Sequence, residues 1–331
     1  MNSCFIDANK TFISLISSFN LYAYNGENFS TLSKDEALLI NHINAEESCY
    51  CVKSKIVNDK VSVDKWSQII KNPACKDFFW PIDIVVQSEN VDADIYLVFP
   101  CVYVPEVVSL KNYLLKENSS GLENNGIKVI INNLLSAFDV FENHRYLYNK
   151  WTDEFLFLNL KNYSQIISFS EFTNINVEST IKNTLRSKEM FYSEYSDPYS
   201  IINDTDYDFY SEMYALSTVL FKLLIGRLPY EGSKMDGIPR DNDGELLHWL
   251  DVYIKTPIFI FDNDDSRNTI GDFEHEKIFM KRWNSLPKKV KEMFQNVFSE
   301  SNVMRKNEQI FYYKPSEWID ALKSFDFTLS V

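Results

Sequence analysis

Hydrophobic and polar positions alternate over short runs in the first hundred residues, which is typical of β-strands. Residues 12–56 predict several such strands, and the run CYCVKSKI at 49–56 is rich in β-forming side chains. The segment YNGEN at 24–28 predicts a turn between two of them. Further elements are expected as a helix at 65–72 and as strands at 80–86 and 95–104.

From residue 110 onward, hydrophobic positions mostly recur at helical spacing. The segment 126–144 carries an apolar stripe, and 211–226 is apolar nearly all round, which indicates a buried helix ending at the capping residue Gly226. Two small strands joined by LKNYS are expected within 155–169. A sheet-rich front followed by a helical remainder predicts an α+β fold with two lobes. Amphipathic helices are expected at 110–117, 244–255, 286–300 and 315–325.

The net charge and the aromatic content limit the kinds of molecule that the protein is expected to bind. The 331 residues carry a formal net charge of −14, so a phosphate backbone or an anionic membrane would be repelled. No apolar run approaches the roughly 18 residues of a transmembrane helix. The 25 Phe and 19 Tyr could supply anchors for a protein interface.

The cysteines indicate a reducing compartment. They are odd in number and scattered, and no second Cys or His pair follows Cys49 and Cys51 at zinc-ligand spacing. The start MNSCFIDANKTF lacks the basic region and long apolar run of a signal peptide. We therefore expect a cytoplasmic protein with free thiols and without a cysteine zinc site.

The stretch EMYALSTVLFKLLIGRLPYEG at 212–232 resembles a segment of protein kinases. In that family a buried helix begins with an Asp and ends in a Gly-x-x-Pro-Phe-x-Gly-like turn. Glu212 stands at the Asp position, and the turn is matched by Gly226, Pro229 and Gly232.

Two further segments extend the resemblance. Residues 137–158 follow, without a gap, the kinase order of a helix, the H-R-D-L-x-x-x-N catalytic loop and a strand. FIFDNDDSRN at 259–268 is similar to an insertion in bacterial relatives of the tellurite-resistance-associated kinases. The resemblance implies a two-lobed protein-kinase-like fold, with an N-lobe at 1–105, a C-lobe at 106–331 and a loop-rich insertion at about 234–285.

The resemblance also implies that the residues of phosphoryl transfer are replaced. That reaction needs a base beside the substrate hydroxyl and oxygen ligands for the metal. An ammonium cannot act as that base, and a benzyl ring offers no oxygen to a divalent cation. The degenerate positions are Tyr148 for the His of the catalytic loop, Lys150 for its Asp, Phe155 for its Asn and Ser168 for the Asp of D-F-G.

Nucleotide binding rests on two residues. Gly26 is the single glycine of the loop AYNGENFSTL, which predicts either a poor phosphate cradle or an ordinary hairpin turn. Lys53 ends the strand that carries the phosphate-binding lysine in kinases, but the following helix offers Asp64 and no glutamate as its partner. Lys53 is thus either a nucleotide ligand or an ordinary strand lysine, and ATP is the one cofactor considered.

The activation segment also departs from the family. Its A-P-E motif reads Asp197, Pro198 and Tyr199, and Lys314 stands for the late Arg that pairs with the Glu. Because the Glu and the Arg of this pair are both replaced, we expect a relaxed activation segment.

Histidines offer two other candidate sites. His144 and Arg145 lie four residues before the catalytic-loop register and are expected at a helix end. His248 and His275 lie in the acidic insertion, which predicts either a metal site or a solvated loop; its carboxylates are Asp262, Asp264, Asp265, Asp272 and Glu274.

Three functions remain open. The first is a pseudokinase that binds a protein partner, and the resemblance implies a phosphatase or a von Willebrand-type domain protein. The second is an active serine/threonine kinase or another nucleotidyl-transfer enzyme with displaced carboxylates, for which Asp153, Glu154 and Glu171 are the candidates. The third is an ATP sensor that works without metal, with Lys53 and Lys150 as counter-charges.

Overall fold

The chain combines a strand-rich first part with a helical second part, as the sequence predicts. It divides into two compact units, of which the first comprises Met1–Val107, Glu154–Lys161 and Gln165–Thr173 and the second Val108–Asp153, Asn162–Ser164 and Asn174–Val331. The computed structural model describes residues 11–16, 21–30, 36–43, 48–53, 60–73, 78–87, 95–100, 107–114, 124–143, 147–148, 151–152, 156–159, 165–168, 193–235, 238, 249–263, 265–271, 276–306 and 309–327.

Six antiparallel strands close into a barrel in the first unit, in the order β1-β2-β3-β4-β7-β6. Strands are present within the predicted stretches 12–56, 80–86 and 95–104, but the two runs that flank residues 24–28 form a single strand. A closed barrel leaves none of these six strands with an unpaired edge. Their bounds are Thr11–Ser14 (β1), Leu21–Ser30 (β2), Glu36–His42 (β3), Ser48–Lys53 (β4), Asp83–Gln87 (β6) and Tyr96–Pro100 (β7); β5 is Phe78–Phe79.

Among its described residues, the barrel buries the carboxylate of Asp83 together with an apolar cluster. Asp83 is buried, and it accepts hydrogen bonds from the hydroxyls of Ser14 (2.7 Å) and Tyr22 (2.9 Å). These bonds compensate the carboxylate for the water that it loses on burial. The apolar core of the barrel is Phe12, Tyr22, Ile40, Val85 and Val98.

The turn predicted at 24–28 is wrong. These residues lie inside β2, which runs unbroken from Leu21 to Ser30. The pairing of β2 with β3 shifts register between Tyr24 and Asn28, which marks a β-bulge or similar irregularity. Asn and Gly tolerate such a distortion as readily as they form turns, so the sequence does not distinguish the two.

Helix α1 (Lys60–Lys71) packs against β6 in the first unit. It buries Trp66 and Ile69, and the indole N–H of Trp80 donates to the carbonyl of Ile69 at 2.9 Å. The helix predicted at 65–72 is therefore confirmed, and it begins earlier than expected. The predicted strand pair is also present as β9 (Leu156–Asn159) and β10 (Gln165–Ser168), and β10 also pairs in parallel with β5.

The second unit is built around one helix that is buried nearly all round, α4 (Phe209–Ile225). As predicted, this helix ends at Gly226, whose φ of 89° is the left-handed conformation that glycine adopts most readily. The strand β8 spans Val107–Ser109, and residues 110–114 are helical. The other helices are α2 (Asn124–Asn143), α3 (Pro198–Asn203), α5 (Trp249–Lys255), α6 (Lys277–Ser285), α7 (Lys288–Phe298), α8 (Glu300–Val303) and α9 (Pro315–Leu322).

The segment predicted as a loop-rich insertion contributes to the core of this unit. Its last residues form α6, which the sequence analysis missed, and Trp283 of α6 stacks on Phe261 at 4.4 Å between ring centroids. The buried Phe259 and Phe261 also contact Phe221 of α4. The amphipathic pattern of α6 is short and lies next to polar sequence, which is why it was not recognised.

None of the helices in the part of the chain that the structure describes is both long and apolar enough to cross a bilayer.

Candidate functional site

The first turn of α4 places a carboxylate inside the second unit. Asp208 caps the helix by accepting the backbone N–H of Ser211 at 2.8 Å. This cap fixes the start of the helix and with it the position of Glu212, which is 1% exposed. A carboxylate that is so fully buried requires hydrogen-bond donors around it.

Three donors converge on Glu212. The backbone N–H of Tyr148 donates to Oε1 at 2.8 Å, and the indole N–H of Trp151 donates to Oε2 at 3.0 Å. The hydroxyl of Tyr207 donates to Oε2 at 2.5 Å. Burial, with the charge of Glu212, raises the pKa of Tyr207 well above its usual value, so this phenol stays a neutral donor.

Aromatic packing against α2 also holds Tyr148 and Trp151. Phe138 of α2 stacks on Trp151 at 4.4 Å between centroids and meets Tyr148 edge-on at 5.9 Å. Burial also raises the pKa of Tyr148, and the charge of Glu212 adds to that rise. Tyr148 and Trp151 are thus held by Phe138 of α2 through ring contacts and by Glu212 of α4 through hydrogen bonds.

Residues 193–196 bind the same loop. The hydroxyl of Ser193 donates to the carbonyl of Trp151 at 2.9 Å, and Ser196 Oγ accepts the backbone N–H of Ser193 at 3.0 Å. Trp151 is therefore held at its indole by Glu212 and at its carbonyl by Ser193.

The expectation of a relaxed activation segment is wrong in its described part, residues 193–200. Asp197 is 1% exposed and pairs with Arg305, whose Nη2 lies 3.0 Å from Oδ2. The same carboxylate accepts the hydroxyl of Ser200 at 2.7 Å. Burial raises the pKa of Asp197, against which the Ser200 hydrogen bond and the charge of Arg305 act.

Lys314, for which no partner was expected, forms an ion pair outside residues 193–200. Its ammonium contacts Glu142 at the end of α2, and 47% of the lysine side chain is exposed. It is the guanidinium of Arg305 that pairs with Asp197, and it also lies over the rings of Tyr199 (4.3 Å) and Tyr210 (4.7 Å). Asp197 and Arg305 are 108 residues apart in the chain, so no local sequence pattern indicates that they pair.

The predicted nucleotide and catalytic residues fall in different places. Lys53 is the last residue of β4 and pairs in register with Tyr96, while Gly26 lies within β2 rather than in a turn. Ser168 ends β10, and Tyr148 lies in the loop held by Glu212. Two predicted positions lie outside the described residues: Lys150 and Phe155.

The alternative carboxylates and most of the histidine candidates also lie outside the described residues. Asp265 is described, and it is engaged by Arg267 through the guanidinium Nε and Nη2. Within the described part of the chain, no group of three or more His, Cys, Asp or Glu side chains could hold a metal ion. The candidates outside are Asp153, Glu154, Glu171, His144, Arg145, His248, Asp264, Asp272, Glu274 and His275.

Comparison with known proteins adds no relative. A scan against models of protein families finds no match, and a search of curated proteins finds no significantly similar sequence.

Proposed function

We propose that the chain is a protein-kinase-like domain that does not transfer phosphate and that acts as a regulatory or scaffolding module for a protein partner. The proposal depends on the register of the catalytic loop, because the degenerate positions are counted from it. Tyr148 sets that register at the His position of the motif.

The contact between Tyr148 and Glu212 is the observation that carries the proposal. The resemblance to kinases assigns the two residues to different motifs. Tyr148 stands in the catalytic loop, and Glu212 stands at the start of the buried helix. A hydrogen bond of 2.8 Å joins these positions, which are 64 residues apart. The assigned register therefore has support that is independent of the motifs themselves.

The order of elements in the first unit also supports a kinase-like domain. Lys53 ends β4, and α1 is the next described element, which is the arrangement that the phosphate-binding lysine requires. In kinases a glutamate of that helix pairs with the lysine, but α1 contains no glutamate, and its one carboxylate, Asp64, is exposed. The sequence thus keeps the lysine and lacks the partner that would orient it.

The replaced side chains explain why transfer is not expected. With Tyr148 as the reference, Lys150 and Phe155 stand where a base and a metal ligand are needed. An ammonium cannot accept the proton of the substrate hydroxyl, and a phenyl ring offers magnesium no electron pair, so the base and one metal ligand are both lost.

A thermal-shift titration with ATP, with and without magnesium, separates the three functions. A simple interaction module shows no shift under either condition. An ATP sensor shows a shift without magnesium that Lys53→Ala abolishes. An active kinase shows a shift that requires magnesium.

A matched variant controls for loss of charge in this titration. Lys60→Ala removes a lysine from the exposed first residue of α1, also in the first unit. A nucleotide shift lost in Lys53→Ala but kept in Lys60→Ala locates binding at Lys53. A magnesium-dependent shift together with autophosphorylation would overturn the proposal.

A further inference from the structure

Lys234 occupies a fixed position on the turn that follows α4. It lies in the middle of a short 3-10 turn, Ser233–Met235. The N–H of Ser233 donates to the carbonyl of Thr269 at 2.9 Å, and the N–H of Lys234 donates to Oδ1 of the buried Asn268 at 3.2 Å. The lysine is only partly buried, so its side chain still meets solvent. The backbone therefore presents this amine from a defined place.

The amine of Lys234 has a neutral partner. Its Nζ donates to Oγ1 of Thr256, just after α5, at 3.1 Å. The hydroxyl of Thr256 gives its own proton to the carbonyl of Val252 at 2.9 Å, which leaves the lone pairs of its oxygen to the lysine. Among the residues that the structure describes, no carboxylate forms an ion pair with Lys234. Partial burial without an acid removes hydration that the ammonium needs and the neutral amine does not.

A neighbouring cation opposes the protonation of this amine further. Arg267 directly precedes Asn268, the residue that binds the backbone of Lys234. Glu300 attracts the ammonium, but its carboxylate is already shared by Arg267 (3.1 Å) and Lys306 (2.7 Å). Burial and then the charge of Arg267 lower the pKa of Lys234 to about 8, against the opposing charge of Glu300. More of this amine than of an ordinary lysine is therefore uncharged near neutral pH.

We propose that Lys234 is a modification site, at which an acyl donor of the thioester class acylates the amine. An uncharged amine is a nucleophile, and proteins activate lysine by desolvation and by a second cation nearby. The nitrogen attacks the carbonyl carbon of the thioester. The C–N bond forms, the C–S bond breaks, the thiolate leaves with the electron pair, and the amine gives its proton to solvent. The amide that results carries no charge, which suits a site that disfavours an ammonium.

Initial rates of acetylation test the inference. The full chain is incubated at about pH 7.5 with S-acetyl-N-acetylcysteamine, and acetylation of each lysine is followed over time by peptide mass spectrometry. Lys255 is the internal control, because it is exposed, directly precedes Thr256 and pairs with Asp251 at 4.0 Å. The same reaction in urea removes the effect of the fold.

Lys234 should be acetylated about tenfold faster than Lys255 in the folded chain, because the gain in neutral amine exceeds the loss of nucleophilicity that a lower pKa brings. In urea the two rates should agree within about twofold. Arg267→Gln should slow Lys234 about threefold or more, whereas Arg267→Lys keeps the charge and should keep the rate.

Three results would overturn the inference: a Lys234 rate no higher than that of Lys255, a preference that persists in urea, or equal rates in the two Arg267 variants. The inference goes beyond the proposed function, because Lys234 belongs to none of the segments compared with the catalytic or nucleotide-binding motifs of kinases. Its failure would therefore leave the proposed function standing.

Discussion

At the scale of single residues, two buried carboxylates organise the second unit. Glu212 and Asp197 are each 1% exposed, and each is surrounded by donors from distant parts of the chain. A buried charge is tolerated only when its hydrogen bonds are satisfied. When one partner is removed, neither water nor another protein group takes its place, and the remaining groups stay buried without a hydrogen bond. Each carboxylate therefore gives a sharp test by mutation.

Glu212→Ala leaves three donors without their acceptor: the N–H of Tyr148 and the indole of Trp151, which are buried, and the hydroxyl of the partly buried Tyr207. We expect it to lower the free energy of unfolding by about 3 kcal/mol or more, measured by urea denaturation. Glu292→Ala on the exposed face of α7 is the control and should change it by no more than about 0.5 kcal/mol. Equal effects of the two substitutions would refute the proposed hydrogen-bond network.

The second test compares Arg305→Ala with Lys314→Ala. Arg305→Ala leaves the buried carboxylate of Asp197 without its cationic partner. It should lower the free energy of unfolding by about 3 kcal/mol or more. Lys314→Ala removes the half-exposed ion pair with Glu142 and a contact of the ammonium with the ring of Phe209 (5.9 Å), and it should cost about 1 kcal/mol or less. Alanine retains a Cβ, so the left-handed backbone at residue 305 (φ 50°) is equally unfavourable in the variant. The reverse order of stabilities would show that Arg305 does not stabilise the buried carboxylate of Asp197.

At the scale of elements, one asparagine joins the turn after α4 to the segment that follows α5. Asn268 is fully buried, and its amide donates to the carbonyls of Tyr230 (3.0 Å) and Ile258 (2.6 Å). Its Oδ1 accepts the backbone N–H of Lys234 at 3.2 Å. This connection explains why the segment predicted as an insertion belongs to the core.

The glycine of that turn makes the close approach possible. A Cβ on Gly232 would lie 2.4 Å from Asn268 Oδ1 and 2.9 Å from the carbonyl of Thr269. Gly232→Ala should therefore destabilise the protein by about 1–3 kcal/mol, measured by thermal unfolding with calorimetry. Ser233→Ala, one residue later, is the control and should cost less than Gly232→Ala. A neutral Gly232→Ala would show that Asn268 can move without loss.

Lys234 in the same turn gives a pH dependence. Burial, reinforced by the charge of Arg267, lowers its pKa to about 8 from the ordinary 10.5. Between these two values the unfolded chain binds more protons than the folded protein, so the stability contributed by this group rises with pH. Lys234→Gln should lose that rise in urea unfolding measured from pH 7.5 to 10, and the exposed Lys255→Gln should keep it.

The lysine titration can also be followed directly. The NMR signal of the Lys234 Cε should shift with a midpoint near pH 8, as its pKa of about 8 requires. A midpoint near the ordinary value of 10.5 would contradict the burial of this amine.

At the scale of the whole molecule, periodicity predicted most elements, because each depends on local spacing. The buried helix α4 and its terminal Gly226 were found in this way, and so were the strands of the barrel. Pairs between distant residues, such as Asp197 with Arg305, were not found, because no local pattern encodes them. Gly26 was misplaced because turns and irregular strands use the same residues.

The candidate site was predicted only in part. The resemblance supplied Glu212 and Tyr148, which the structure joins by a hydrogen bond. It did not indicate that Tyr207 donates a hydrogen bond to Glu212, or that Ser193 donates one to the carbonyl of Trp151. Those partners lie outside the kinase motifs, so a search by motif could not indicate them.

Transfer of the γ-phosphate of ATP is the most direct test of a non-catalytic kinase-like domain. The protein is incubated with γ-labelled ATP and magnesium, alone and with a generic serine/threonine substrate, beside a Lys53→Ala control. We predict that label in both proteins and in the substrate stays at the level of a protein-free blank. Magnesium-dependent incorporation that is present in the native chain and lost in Lys53→Ala would contradict the account.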